Sequence, residues 1–141
     1  MRRKIRFSEI ESEVPEDQPG IYEIHTDAGI ALKVGIGSKL RKRLLQHRAS
    51  RDSALELKQG GSHDDPRDVR SKGSILAKHL YYDKSVSPNY DLETQAGRQM
   101  FLEQSCHIIF ELTESLADAS EEERCRERDG CFRYVGRVVK R

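Results

Sequence analysis

Four residues with acid–base or phosphate-binding side chains lie within a short stretch of this 141-residue chain. Tyr22 and Lys33 fall in two neighbouring apolar–polar segments, and Arg43 and His47 follow them four residues apart. Side chains at positions i and i+4 share one face of a helix. The Arg43 guanidinium is a planar fork suited to phosphate oxygens, and the His47 imidazole exchanges protons near neutral pH. These residue types and their spacing predict a site that holds a phosphodiester.

Two strands and a helix are needed to position these side chains. Residues 20–25 alternate apolar and polar side chains, which is the period-two pattern of a half-buried strand, and residues 30–36 form a second such segment. The residues between them, Thr-Asp-Ala-Gly, favour a turn, so the pair is predicted to be an antiparallel hairpin. Leucines then recur at helical spacing among basic residues, which predicts a basic amphipathic helix at the end of the segment 20–47.

The remaining elements predict an α+β fold with a small central three-stranded antiparallel sheet flanked by helices. Helical spacing is found over 74–82, 94–104 and 118–129, a β-branched strand over 106–112, and a candidate edge strand over 131–139. We interpret residues 1–141 as one domain, with a leader segment at 1–19, a motif core at 20–47 and inserts at 55–73 and 83–98.

The composition indicates a water-soluble domain with a thin core. Apolar residues make up 35% of the chain and charged residues another 35%. No stretch approaches the ~20 apolar residues of a membrane span. The basic N-terminus is not followed by the apolar segment and cleavage site of a signal peptide, so none is expected. We therefore expect a cytoplasmic protein without a membrane partner. The three cysteines lack Cys-x-x-Cys spacing, which favours free thiols over a zinc site or a disulfide framework.

The distribution of charge is more informative than the net charge of +1. Six Lys or Arg and no acid lie between Lys39 and Arg51, whereas eight acids lie between Glu111 and Asp129. The chain can therefore carry one cationic and one anionic face, and local fields of this kind steer charged partners. Two solvated helix faces remain an alternative explanation of the same charge runs.

The motif core resembles the GIY-YIG nuclease superfamily. Gly20-Ile21-Tyr22 is followed after ten residues by Lys33-Val34-Gly35. Arg43 lies eight positions beyond Gly35, and His47 lies four further on, as is typical of that superfamily. The match covers residues 20–47, and the later elements correspond by their order alone.

The resemblance implies a metal-dependent endonuclease that cuts DNA. In that case Tyr22 would help to activate the attacking water, Arg43 would stabilise charge on the scissile phosphate, and His47 would assist nearby. Lys33 stands where the superfamily commonly has tyrosine. Its ammonium cannot accept a hydrogen bond as a phenol does, but it could neutralise a phosphate or a hydroxide.

A glutamate on the helix after the third strand would hold a divalent ion, Mg²⁺ or Mn²⁺. Glu123 is our first choice because it shares a helix face with Ala119, and Glu127 on the same face is second. Glu103 is third because it precedes the strand at 106–112. For each of these carboxylates a solvated surface position remains an alternative.

Further basic residues are expected to contact nucleic acid: Arg41, Lys42, Arg48 and His79. For His79 a structural role is an equal alternative. The sequence thus predicts a DNA endonuclease, and its alternative is a module that binds nucleic acid or a protein partner without cleavage.

Overall fold

A four-stranded antiparallel sheet forms the centre of the computed structural model, which describes all 141 residues. Its strands are Arg3–Ile5 (β1), Gly20–Thr26 (β2), Ala31–Gly37 (β3) and Cys106–Leu112 (β6), in the spatial order β1-β6-β2-β3. A separate two-stranded ribbon pairs Leu55–Leu57 (β4) with Val69–Ser71 (β5). The helices are Ile10–Glu13 (α1), Leu40–Ala49 (α2), Ile75–Tyr81 (α3), Gln95–Ser105 (α4) and Leu116–Arg128 (α5). The predicted α+β class is confirmed.

The prediction of a three-stranded sheet is wrong, because the leader segment 1–19 supplies a fourth strand. In β1, Arg3 pairs with Phe110 and Ile5 pairs with Ile108 of β6. A three-residue strand with two basic residues carries no detectable period-two pattern. It forms because the edge of β6 offers backbone hydrogen-bond partners, and β6 lies about 100 residues away in the chain.

The expected edge strand over residues 131–139 does not form. Instead, the amides of Arg133 and Tyr134 donate to the carbonyls of Ala31 and Leu32, at 2.9 and 2.8 Å. The Tyr134 side chain is buried in the main core. The C-terminal segment therefore covers the outer edge of β3 without extending the sheet as a regular strand, which shields an otherwise exposed edge.

Helix α2 follows the hairpin directly and is anchored by its leucines. Leu40 and Leu44 are fully buried, and His47 shares their buried side. The helix ends at Ser50, whose φ of 45° is left-handed and stops further helical turns. Because α2 packs against β3, the hairpin and helix hold residues 22–47 together at one end of the sheet.

The leader segment is fastened to α2 by two arginines. Arg41 Nε donates to the Val14 carbonyl at 2.6 Å, and the Arg48 guanidinium donates to both carboxylate oxygens of Glu11 at 2.7 Å. Both side chains were expected to contact nucleic acid. Their donors are directed at the leader instead, so we leave them out of the candidate site.

Helix α5 packs on the β2–β3 hairpin. Ala119 is fully buried against Ile21 and Val34. Near the end of the helix, the buried Arg126 guanidinium binds the Glu23 carboxylate at 2.8 Å. This anchoring fixes which α5 residues face the hairpin. None of the helices has both the length and the apolar character required to cross a membrane.

Candidate active site

Tyr22 is positioned by its cross-strand neighbour. In the β2–β3 register it lies opposite Gly35, and its ring rests on the Gly35 backbone. A Cβ atom at position 35 would overlap the Tyr22 phenol, so only glycine fits there. The glycine of the second motif therefore has a packing role, which is to leave room for the phenol.

The Tyr22 phenol begins a hydrogen-bonded chain of three side chains. Tyr22 Oη lies 2.5 Å from His47 Nε2, and His47 Nδ1 lies 2.7 Å from Ser74 Oγ. Tyr22 and His47 are each only 1% exposed. Ser74 is also the N-cap of α3, where its hydroxyl accepts the Ala77 amide at 3.2 Å. These hydrogen bonds therefore link β2 to α2 and α3.

Burial keeps both members of the Tyr22–His47 pair neutral at pH 7. It raises the pKa of Tyr22 above its ordinary value, and it lowers the pKa of His47 well below 6.5, with further lowering by the charges of Lys33 and Arg43. A neutral imidazole accepts through one nitrogen and donates through the other. The phenol O–H can thus donate to Nε2 while Nδ1–H donates to Ser74.

Ser74 is a site residue that the sequence reasoning missed. A serine just before apolar residues at helical spacing indicates an N-cap, so the capping role of Ser74 could be predicted from the sequence. Its contact with His47 joins residues 27 positions apart, and no local pattern reports that distance.

Arg43 presents a positive charge that no carboxylate neutralises. Its Nη1 atom donates to the Gly73 carbonyl at 3.0 Å and to Gln46 Oε1 at 3.2 Å, and both acceptors are neutral. Arg43 lines an open cavity of about 480 Å³ together with Lys39 and Lys42. Lys39 pairs with Asp17 at 3.5 Å, whereas Arg43 and Lys42 form no ion pair. This surface suits an anion, because the N–H donors of Arg43 and Lys42 are not neutralised by acids.

Lys33 and Glu123 lie close enough for the charge of each to shift the pKa of the other. Lys33 pairs with Ile24 in the hairpin register, diagonally from Tyr22. Burial lowers the pKa of Lys33, and the carboxylates of Glu123 and Glu127 oppose that effect. Burial and the Glu127 charge raise the pKa of Glu123, opposed by Lys33 and Arg43. The folded chain therefore brings Glu123 into the electrostatic field of Lys33 and Arg43, and the Glu123 charge in turn helps to raise the pKa of Tyr22.

The other predicted glutamates differ in position. Glu127 lies one helical turn beyond Glu123 and shares its neighbours. Glu103 is exposed on α4, where its backbone carbonyl accepts from Arg6 at 3.2 Å. Its charge acts on Arg48, which is turned to the leader. Glu103 is thus not brought to the Tyr22–His47 pair.

The carboxylates fit a water-rich divalent ion better than an all-protein cage. No three His, Cys, Asp or Glu side chains are grouped as a metal site. Mg²⁺ usually keeps several waters and takes only one or two protein carboxylates. Glu123 and Glu127 can supply these oxygens, with the nearby Lys33 ammonium as a competing positive charge.

His79 borders the site and is buried against an aromatic ring. Its imidazole stacks on Tyr134 with ring centroids 4.8 Å apart and an angle of 15° between the planes. Burial, and then the charge of Lys33, lowers its pKa to about 4. His79 is therefore neutral at pH 7, and its stacking on Tyr134 gives it a packing role in the fold.

The free energy of unfolding is expected to fall as pH is lowered from 6.5 towards 4. His47 and His79 have pKa values below 6.5 in the fold, so the unfolded chain binds more protons in this range and is favoured. For His79, a pKa of about 4 against 6.5 corresponds to about 3 kcal/mol of lost stability near pH 4. The raised pKa of Glu123 acts in the opposite direction.

Urea unfolding of the wild type and of His79→Phe at pH 7 and pH 4 measures this effect. Phenylalanine keeps a ring on Tyr134 but binds no proton, so the variant should lose less stability on acidification. An equal loss in both proteins would contradict the assignment to His79.

Comparison of the chain with models of known families, with curated proteins and with solved structures finds no match.

Proposed function

We propose that the chain is a metal-dependent endonuclease that hydrolyses DNA phosphodiester bonds through a site of the GIY-YIG type. The observation that carries the proposal is the buried Tyr22–His47 pair, 2.5 Å apart, beside an arginine without a carboxylate partner. A neutral acid–base pair next to a free guanidinium supplies what phosphodiester hydrolysis needs, namely proton transfer and stabilisation of phosphate charge. The sequence resemblance over residues 20–47 supports the same conclusion.

Proton transfer in the proposed reaction runs through Tyr22 to His47. As water attacks phosphorus, Tyr22 Oη accepts the water proton while its own proton passes to His47 Nε2. The bond from phosphorus to the leaving oxygen breaks, and that oxygen takes a proton from solvent. The negative phosphate opposes the fields of Lys33 and Arg43 at His47, so substrate binding raises the affinity of the imidazole for the proton.

Arg43 and Glu123 would both act on the phosphate, beside the Tyr22–His47 pair. The guanidinium binds phosphate oxygens as negative charge builds on them. Glu123, with Glu127 beside it, would hold Mg²⁺ or Mn²⁺. When bound, such an ion supplies positive charge to the phosphate and orders water close to it.

Lys33 favours a second candidate function, a module that binds nucleic acid or a protein partner without cleaving it. Its ammonium lies in the field of Glu123 and Glu127, which is where a divalent ion would be held. If the ammonium takes the place of the ion, the anion site around Arg43 persists without the metal. Binding would then remain and hydrolysis would be lost.

Incubation of the protein with supercoiled plasmid and with branched DNA distinguishes the two candidates. We expect nicking in Mg²⁺ or Mn²⁺, none in EDTA, and loss of nicking in Glu123→Gln, since the amide removes the anionic ligand. Binding without nicking under every metal condition would overturn the endonuclease and support the second candidate. Nicking that persists in EDTA would overturn the metal requirement.

A further inference from the structure

A second basic surface lies on the β4–β5 ribbon, within the predicted insert 55–73. An open cavity of about 610 Å³ is formed by the ribbon, α3 and the C-terminal segment. No Asp or Glu contributes to its lining. Its cations come from three separate parts of the chain: Lys58, Arg67, Arg70, Lys78 and Arg137. We call the cavity lined by these cations the ribbon cavity.

Most of these positive charges are not neutralised by acids. The ammonium groups of Lys58 and Lys78 donate to the backbone carbonyls of Arg67 and Val69, at 2.7 and 2.6 Å. Carbonyls fix the ammonium positions without cancelling their charge. Burial and the neighbouring Lys58 charge lower the pKa of Lys78, as expected for cations gathered together.

The arginines of the ribbon cavity differ in their availability. Arg67 forms an ion pair with Asp65 at 2.9 Å. Arg70 lies opposite Glu56 in the ribbon register, but the Glu56 carboxylate pairs with Lys72 at 2.8 Å. Arg70 and Arg137 are both exposed, and neither forms an ion pair. These two guanidinium groups are therefore free to bind an external anion, and their removal leaves no internal acceptor unpaired.

We propose that the ribbon cavity binds the phosphate backbone of duplex DNA next to the scissile phosphate. Cations spread over the ribbon with its connecting loop, a helix and the C-terminal segment match a ligand with repeated negative charges better than a single small anion. Phosphate contacts of this kind position a duplex without reading its sequence. The placement of the duplex relative to the cleavage site rests on the proposed function.

The ribbon cavity is joined to the candidate active site by a very short piece of chain. Ser71 lines the cavity, while Gly73 accepts from Arg43 and Ser74 contacts His47. Ser71 and Gly73 are two residues apart, so their Cα atoms lie within roughly 7 Å of each other, which is on the order of two base-pair steps along one DNA strand. A duplex held at Arg43 would therefore reach the ribbon cavity with phosphates only a few steps away.

The test measures the salt dependence of DNA binding by fluorescence anisotropy. A short labelled duplex is titrated in EDTA at several KCl concentrations between about 50 and 200 mM. In Arg70→Gln/Arg137→Gln, the slope of log K against log[KCl] should become shallower by about 2, which is about one per lost phosphate contact. The Kd should rise at every salt concentration.

A matched control separates local contacts from net charge. Arg2→Gln/Lys4→Gln removes two exposed charges from β1 and the residue before it, at the opposite edge of the sheet from β3, and neither residue forms an ion pair. It should keep the wild-type slope. An equal change in both double variants would overturn the proposal, as would a wild-type slope in Arg70→Gln/Arg137→Gln.

Failure of this inference is distinguishable from failure of the proposed function. If Arg70→Gln/Arg137→Gln binds as the wild type does while the wild type nicks DNA in Mg²⁺, the ribbon cavity is not a DNA contact and the endonuclease stands. If the wild type never nicks DNA but the double variant has the shallower slope, the DNA contact stands and the endonuclease does not.

Discussion

Arg43→Ala is expected to reduce metal-dependent nicking of DNA by about 10²- to 10³-fold, which is the typical cost of removing one donor that stabilises transition-state charge. The physical reason is that its guanidinium is the cation beside the Tyr22–His47 pair with no carboxylate to neutralise it. Its present acceptors, Gly73 and Gln46, are both accessible to water, so the loss should fall on the reaction and not on the fold.

We test this expectation by nicking rates measured with enzyme in excess over DNA and by urea unfolding of the same preparations. Arg43→Lys keeps the charge but loses the planar fork, so its rate should lie between those of the wild type and Arg43→Ala. Arg3→Gln, on β1, removes a cation at the far edge of the sheet and should nick as the wild type does. A wild-type rate in Arg43→Ala would contradict the proposed role.

Arg98→Met is expected to lower the free energy of unfolding by on the order of 4 kcal/mol. The Arg98 side chain is fully buried and donates to the Ser50 carbonyl at 2.8 Å and to the Leu92 carbonyl at 3.1 Å. Methionine fills a similar volume but has no donors, so two buried carbonyls would be left unpaired at about 1–3 kcal/mol each. Such a loss is a large part of the total stability of a domain of this size.

Chemical denaturation at pH 7 measures this loss, and Arg124→Ala serves as its control. Arg124 is exposed on α5, so its truncation should change stability by no more than about 0.5 kcal/mol. Because Arg98 holds Ser50 at the end of α2, its loss should also reduce the thermal stability of the helix that carries Arg43 and His47. Equal stability of Arg98→Met and the wild type would contradict this role of the buried guanidinium.

The hairpin and the basic helix could be predicted from the sequence because their signals are local. Each signal involves residues less than about ten positions apart. These signals are the alternation over residues 20–25, the turn that ends in glycine, and the leucines at helical spacing. The structure places these strands at Gly20–Thr26 and Ala31–Gly37 and the helix at Leu40–Ala49. The half-buried character expected of the first strand is wrong, because α5 covers the face of Ile21 while Tyr22 and Ile24 face the main core. The relation of Arg43 to His47 follows from the helix alone, whereas the contact of His47 with Tyr22 joins residues 25 positions apart and depends on tertiary packing.

The ranking of the glutamates rests on the order of elements that the superfamily resemblance implies, and it stays a prediction. Glu123 and Glu127 follow the third predicted strand, and the structure brings both into the field of Lys33. Glu103 precedes that strand and lies on α4 among residues that contact the leader. The nicking experiment with Glu123→Gln tests whether this carboxylate binds a metal.

The sequence by itself determined the periodic elements and the residue types of the candidate site, since periodicity is a property of neighbours along the chain. Only the tertiary structure decided which charges meet. It directed Arg41 and Arg48 to the leader, buried Arg98 against Ser50, joined Ser74 to His47, and left Arg43 without an acid. Neutralisation of a charge depends on distances between residues far apart in the chain, and no local pattern encodes those distances.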